Sequence, residues 1–409
     1  EYVHVQTKLP YLPRWKTPKR QARQADWAQG RQKVFRLSSM PPWIWGCPRK
    51  CWARGHWKND QLVFASEVKS ILAFKGYKRE VDLFAIQTPV HFQTNPRTGF
   101  KDIYKLEAGN YLTFKNGDLQ IGKYWDIYPT EQNISYEEAF EELDYLLNDS
   151  IKLQMISDVP IGALLSGGLD SSIISVLMQK NMTQQLNTFT IKFKKGDLKR
   201  QGNVDDSFYA KKLANDFGFK HHEITLEPDV VDLLPKMVWH LDEPIADPAS
   251  INTYLISKEA EQRGIKVLLS GMGADEFFSG YRSHLACVKA DSYQRFPKVL
   301  RNTLEKYIQK IPESNSKRNF KYIRWAKGFL KVASQSQLDR GLIIKNSALS
   351  ESNFNDYYVN AGNYRDSLFV DRDTKLFNQY PDLSYLTKLC YCDTKTYLAD
   401  HNLAYSDKA

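Results

Sequence analysis

Ile161-Gly162-Ala163-Leu164-Leu165, then Ser166-Gly167-Gly168-Leu169-Asp170-Ser171-Ser172, then Ile173-Ile174-Ser175-Val176-Leu177-Met178 is the run that decides the fold. Its first five residues are small or apolar, as a strand buried on both faces requires. Its last six read as an apolar helix. Between them, two glycines allow a sharp turn and leave backbone N–H groups with no Cβ in front of them. The helix then aims its positive end at the same space. Ser166, Ser171 and Ser172 add hydroxyl donors, and Asp170 places a carboxylate where it could hold Mg²⁺ against phosphate oxygens. A plain strand–turn–helix junction would need only the turn and a cap. All seven residues in this context point instead to a pyrophosphate cradle. The spacing is not G-x-x-x-x-G-K-[ST], which excludes γ-phosphate transfer of the Walker type.

A second constellation follows about a hundred residues on: Ser270-Gly271-Met272-Gly273-Ala274-Asp275-Glu276, then Gly280-Tyr281-Arg282. It too leaves an apolar strand, Lys266–Leu269, and opens a helix. Two such loops in a parallel sheet share its carboxyl edge, where ligands bind. Asp170 and Asp275 are therefore expected to face one metal. As a purely structural pair, Asp275 and Glu276 would complement a helix dipole.

Strand and helix signals alternate around these loops. Strands are expected at Ile161–Leu165, Thr188–Phe193, Glu223–Leu226 and Lys266–Leu269, with helices at Ser171–Gln179, Phe208–Phe217, Val230–His240 and Ile251–Glu261. That is the βαβ rhythm of an α/β fold with a parallel sheet covered on both faces. Ser135 followed by Glu137 and Glu138 marks the helix start that opens this domain. Beyond about Tyr281 the chain reads as helical. Before it, Gln61–Phe64 reads as a strand and Ala65–Leu72 as a short helix. Asn110–Phe114, Asn116-Gly117-Asp118 and Leu119–Tyr124 give a hairpin signal, closing a small β-rich domain near Ile127. The domains so expected are residues 1–55, 56–130 and 131–409.

Residues 1–55 differ from the rest. They hold five of the nine tryptophans, six prolines, and twelve Lys or Arg against two acids. That excess equals the whole net charge of +10, so the remaining body is neutral and asks for no polyanion. The tract shows no sustained periodicity and reads as irregular. Five cysteines without a zinc spacing read as scattered thiols. No apolar run approaches the roughly 18 residues of a membrane span, and Glu1 onward lacks a signal-peptide core. The expectation is a cytoplasmic protein with neither nucleic-acid nor membrane partners.

At its two loops the sequence resembles the asparagine synthetase family of glutamine-dependent amidotransferases. S-G-G-L-D-S-S at 166–172 resembles that family's pyrophosphate loop, and S-G-x-G-A-D-E at 270–276 with the following G-Y its second signature. Leu241-Asp242-Glu243-Pro244, Asp247-Pro248, Phe64-Ala65-Ser66-Glu67-Val68-Lys69 and the final Tyr397–Lys408 also fit. The resemblance implies an adenine-nucleotide pyrophosphatase sheet, a helical C-terminal part, and a β-rich remnant of an N-terminal-nucleophile glutaminase domain ahead of them. It implies ATP and Mg²⁺ as cofactors, and as partners a small carboxylate with ammonia or glutamine; a homodimer fits as well. Leu165, Ile191, Ser270 and Gly271 would line the adenosine site beside the loop Ser166, Gly167, Gly168, Leu169, Asp170, Ser171 and Ser172. Asp170, Asp275 and Glu276 would be catalytic, with Asp170 and Asp275 carrying the metal. Met272, Tyr281 and Asp247 would face substrate.

The chain also departs from the family. It begins with Glu1 rather than a nucleophilic cysteine, its earliest thiol is Cys47, and it stops at Ala409 before an Arg-x-Pro segment and a later lysine. Relative to the family both ends look truncated, and no glutaminase activity is expected. Met272 stands where asparagine synthetases usually have Glu, which opens a second acceptor class, such as a uronic acid. A tRNA-modifying ligase would use the first loop alone, and a non-catalytic nucleotide-binding remnant would keep both loops without turnover.

Overall fold

The structure is a computed structural model, and it describes residues 4–5, 51–53, 62–82, 85, 95–115, 118–193, 206–225, 231–243, 245, 247, 249–311, 320–345 and 368–408. The chain divides into two units. One comprises Glu1–Asp82, Asn95–Met272 and Ala399–Ala409; the other comprises Leu83–Thr94 and Gly273–Leu398.

The first unit carries all the strands among the described residues: β1 (His4–Val5), β2 (Cys51–Ala53), β3 (Val63–Ala65), β4 (Ile103–Lys105), β5 (Asn110–Lys115), β6 (Asp118–Lys123), β7 (Ile161–Leu164), β8 (Asn187–Lys192), β9 (Lys220–Thr225) and β10 (Val267–Leu269). Its main sheet runs β1-β10-β7-β8-β9 with every pair parallel. Side chains alternate across it with a period of two. Ala163, Leu165 and Leu269 enter one core with Leu177, Met178, Ala210 and Phe219. Leu164 and Leu268 enter the other with Phe189, Ile256, Ala260 and Ile265. Burial on both faces explains why these strands read as unbroken apolar runs.

Helices cover both faces. The first core draws on α2 (Tyr136–Gln154), α3 (Leu169–Lys180) and α4 (Asp206–Phe217), and the second on α6 (Ala249–Gln262); α1 (Val68–Leu72) and α5 (Leu234–Leu241) complete the series. Ser135 starts α2 with a reciprocal capping box: its hydroxyl accepts from the Glu138 N–H, and Glu138 accepts from the Ser135 N–H. Ile151 of that helix is buried, but Phe140, which shares its spacing, is exposed.

The β-rich part holds a correction. Cys51–Ala53, read from sequence as irregular, is the middle strand of an antiparallel sheet β3-β2-β4. Its partners lie ten and fifty residues downstream, and local periodicity carries no record of such pairing. Residues 6–50 of that tract lie outside the described residues. The hairpin β5–β6 forms as expected and closes on Lys115↔Asp118. Its turn residues Asn116 and Gly117 are outside the described set.

The second unit is helical among its described residues: α7 (Ala274–Phe278), α8 (Arg282–Gln294), α9 (Lys298–Lys310), α10 (Phe320–Ala333), α11 (Gln337–Lys345), α12 (Leu368–Asn378) and α13 (Tyr385–Asp393). Its core includes Cys287, Ala290, Leu330, Ala333, Leu342 and Leu389. The Arg340 side chain is fully buried there. It pairs with Asp291 at 2.6 Å and donates to the Gln335 and Cys287 carbonyls through Nε and Nη1, while its buried Nη2 has no hydrogen-bond partner among the described residues.

Candidate active site

Strand order sets the position of the site. From β7 the chain moves outward to β8 and β9, then returns past β7 to β10 on the other side. The switch point therefore falls between β7 and β10, the crevice where open α/β sheets bind ligands. Registers Val267↔Ile161 and Leu269↔Ala163 bring both strands to an end at the same level. The loops after them, 165–168 and 270–273, consequently start side by side.

The first loop is built by its own serines. Ser171 is buried, and its Oγ accepts from the Ser166 N–H at 3.1 Å and lies 2.9 Å from the Ser166 Oγ. Ser172 Oγ donates to the Gly168 carbonyl at 2.7 Å. These two hydroxyls thus hold the loop's shape, a framework role that the sequence pattern did not separate from ligand donation. Gly168 is the N-cap of α3 and offers no side-chain cap to the first N–H groups of the helix. Gly167 has φ 81°, a left-handed value that favours glycine. Asp170 sits in the first turn of α3, half-buried, and Leu169 stands exposed.

The second loop closes on the first. A Cβ at Gly271 would stand 2.6 Å from the Ser171 nitrogen and 2.9 Å from the Asp170 carbonyl carbon, so only glycine fits without a shift. Ser270 accepts from the Met272 N–H at 3.3 Å. Met272 packs against Met237, Leu241, Ile251, Tyr254 and Tyr405, an apolar setting that accounts for its side chain. Leu165 is buried, and Ile191 packs against the second core at the end of β8.

The remaining residues of the second signature belong to the second unit. Asp275 and Glu276 occupy the first turn of α7. The Tyr281 hydroxyl donates to Glu276 at 2.7 Å. Burial pushes the Glu276 carboxyl up, with Asp393 and Asp275 adding to the rise and the Tyr281 hydrogen bond opposing it. Tyr281 packs edge-on against His284, which pairs with Asp393 at 2.6 Å in a buried dyad that the sequence reading missed.

Asp247, in the first unit, caps α6 through the Ala249 N–H at 2.8 Å and lies 3.2 Å from His401. The Leu241-Asp242-Glu243 motif takes a role of its own. Asp242 ends α5 with φ 62°, and its carboxylate is fully buried. It accepts from the N–H groups of Val68 and Lys69, from Lys69 Nζ at 2.9 Å, and from Lys408 Nζ. Glu243 pairs with Lys105 at 2.5 Å. Burial alone would raise the Asp242 carboxyl, but Lys408 and Lys69 outweigh it and hold it below the usual carboxylate range. Three motifs far apart in sequence thus meet at one carboxylate.

Pyrophosphate and Mg²⁺ fit the first loop on the chemistry of its donors: the start of α3 has no side-chain cap, and Asp170 in that turn supplies a carboxylate beside it. Among the described residues no three His, Cys, Asp or Glu side chains converge as a ready-made cage. Mg²⁺ beside phosphates needs none, because it keeps waters and takes only one or two carboxylates.

Comparison with known proteins gives the family. The profile of the asparagine synthase family matches residues 142–409, and that of the glutamine amidotransferase domain matches residues 49–125. A putative glutamine-hydrolysing asparagine synthetase 2 of Methanocaldococcus jannaschii is 34% identical over 254 residues, covering 60% of this chain and 48% of its own length. Glutamine-hydrolysing asparagine synthetase 1 of Bacillus subtilis is 30% identical over 357 residues, covering 85% of this chain and 50% of its own length. The chain therefore spans about half the length of these curated relatives. Among solved structures, an NH3-dependent NAD synthetase of Campylobacter jejuni covers 59% of this chain and 96% of its own, at 14% identity and a TM-score of 0.25. With one family profile covering most of its length, the chain belongs to the asparagine synthase family.

Proposed function

We propose that this chain carries the synthetase part of an ATP-dependent amidotransferase that joins nitrogen to a carboxylate. The observation that carries the reading is the seating of Gly271 against the backbone of Asp170 and Ser171, which makes one cradle of two loops at the sheet's carboxyl edge. In this reading a substrate carboxylate oxygen attacks the α-phosphorus of ATP, and the bond to the bridging oxygen of pyrophosphate breaks. Ammonia, free or released from glutamine, then attacks the acyl carbon, AMP departs and the nitrogen loses a proton. The helix N-terminus at the start of α3, which no side chain caps, holds the departing pyrophosphate and opposes its charge. Asp170 would hold Mg²⁺, which would supply charge neutralisation on the phosphate oxygens; Asp275, in the second unit, is the other carboxylate this reading assigns to the metal. Leu165 and Ile191 keep their side chains in the two cores, so it is their backbone at the strand ends, with Ser270, that would face adenosine. Glu276 is kept in place by Tyr281, and Asp247 and Tyr281 lie on the substrate side.

Aspartate is the acceptor this reading names, with asparagine as product. A second acceptor class, the uronic acids, is favoured by Met272, whose thioether can neither accept a proton nor pair with an amino group. Isotope exchange between ATP and pyrophosphate, measured with Mg²⁺ and each acid in turn, tests both. Exchange that depends on aspartate is the expected result, and dependence on the uronic acid would move the acceptor. ATP binding with no carboxylate-dependent exchange would overturn the reading and leave a nucleotide-binding remnant.

A further inference from the structure

The neutral charge of the body conceals a local excess. Between Lys289 and Lys331 the sequence holds twelve Lys or Arg and three Asp or Glu. The structure concentrates part of that excess on α9, and α9 is oriented unusually. None of its residues is fully buried. The face turned inward is Arg301, Glu305 and Ile308, all half-buried, with the Arg301 guanidinium over the Tyr293 ring and donating to the Phe296 carbonyl. The apolar stripe, Phe296, Val299, Leu300, Leu304, Tyr307 and Ile311, recurs at spacings of three and four and points to solvent. Val299 is 76% and Tyr307 70% exposed. Every exposed charged residue from 295 to 311 is basic: Arg295, Lys298, Lys306 and Lys310.

We propose that α9 is a surface-binding helix for an anionic lipid membrane, lying in the interface with its stripe among the acyl chains and its flanking cations at the headgroups. The pattern of a central apolar band bordered by Lys and Arg is what such helices need. A nucleic acid is the poorer occupant, because only Phe296 and Tyr307 of the stripe can stack on bases and the exposed aliphatic Val299, Leu300 and Leu304 between them would gain nothing from one. A second copy is poorer too, because a two-fold contact would oppose like charges across the seam. The proposal concerns adsorption, not spanning: no described helix is long and apolar enough to cross a membrane. It does not depend on the ATP site.

The test is cosedimentation of the chain with vesicles of phosphatidylcholine alone and of phosphatidylcholine with an equal part of phosphatidylserine. Binding to the anionic vesicles that weakens with added salt is expected. The double variant Leu300→Ser/Tyr307→Ser keeps every charge, including the basic N-terminal tract, and should weaken that binding by about tenfold or more. Lys306→Glu/Lys310→Glu should weaken it as well, and circular dichroism checks that both variants keep their helices. Unchanged binding by both variants would assign adsorption to other basic residues and overturn the proposal. Failure of the unaltered chain to bind anionic vesicles would overturn it outright. A dimer in solution that Leu300→Ser/Tyr307→Ser dissociates, without vesicle binding, would make a second copy the occupant.

Discussion

Gly271 and Asp170 are where single residues matter most. At Gly271 a methyl group would press on backbone atoms of the neighbouring loop, and backbone cannot rotate away as a side chain does. Gly271→Ala should therefore weaken ATP binding by about tenfold or more while costing about 1–3 kcal/mol of stability, measured by calorimetric titration and denaturant unfolding. An unchanged ATP affinity would separate the loop contact from the nucleotide site. Asp170 sits in the first turn of α3, so its carboxylate serves either the helix dipole or a metal. The two roles make different predictions. With Asp170→Asn, loss of a metal ligand should weaken ATP binding in Mg²⁺ by about tenfold and leave binding without Mg²⁺ nearly unchanged. A dipole role would shift stability by about 0.5 kcal/mol and touch neither affinity. Met272 was legible in sequence as a departure from the family pattern. Its packing among Met237, Leu241 and Tyr254 was not, because those side chains lie on α5 and α6, up to 35 residues away in sequence.

At the scale of elements, local chemistry was a good guide wherever the signal was local. Ser135 and Glu138 form the capping box that the sequence reading expected from an N-cap serine followed by acids. Ser135→Ala should destabilise the first unit by about 1 kcal/mol, seen as a lower denaturant midpoint at an unchanged slope. A Glu138→Gln control keeps an acceptor at that position and should cost less. The parallel strands were legible because burial on both faces writes an apolar run into the chain, and the predicted ends fell within a few residues. Helix α3 begins at Leu169, two residues before the expected start, with Gly168 as its cap. Strand β2 was missed because a three-residue strand gains its identity from partners, and nothing in Cys51-Trp52-Ala53 alone encodes them.

The whole molecule shows what joins motifs that the sequence only lists in order. Asp242 gathers Val68, Lys69 and Lys408 across separations of up to 174 residues. Its carboxyl is held below the usual range, so the stabilisation is complete above the unfolded-state value of about 3.9 and is lost as pH falls through the lower folded value. Asp242→Asn should therefore lower stability near neutral pH by about 3 kcal/mol or more and flatten its acid dependence. Equilibrium unfolding at several pH values checks this, and parallel curves for the two proteins would show that Asp242 is not the titrating group. The sequence by itself determined the sheet class, the two loops and their chemistry, since each rests on contiguous residues whose backbone freedom and polarity are local properties. Only the tertiary structure decided that β10 lies beside β7, that Gly271 seats on Asp170, that Asp242 is a buried hub and that α9 turns its apolar face to solvent. Each of these depends on which distant surfaces meet, and the free energy of burial is set by that meeting rather than by any one stretch of chain.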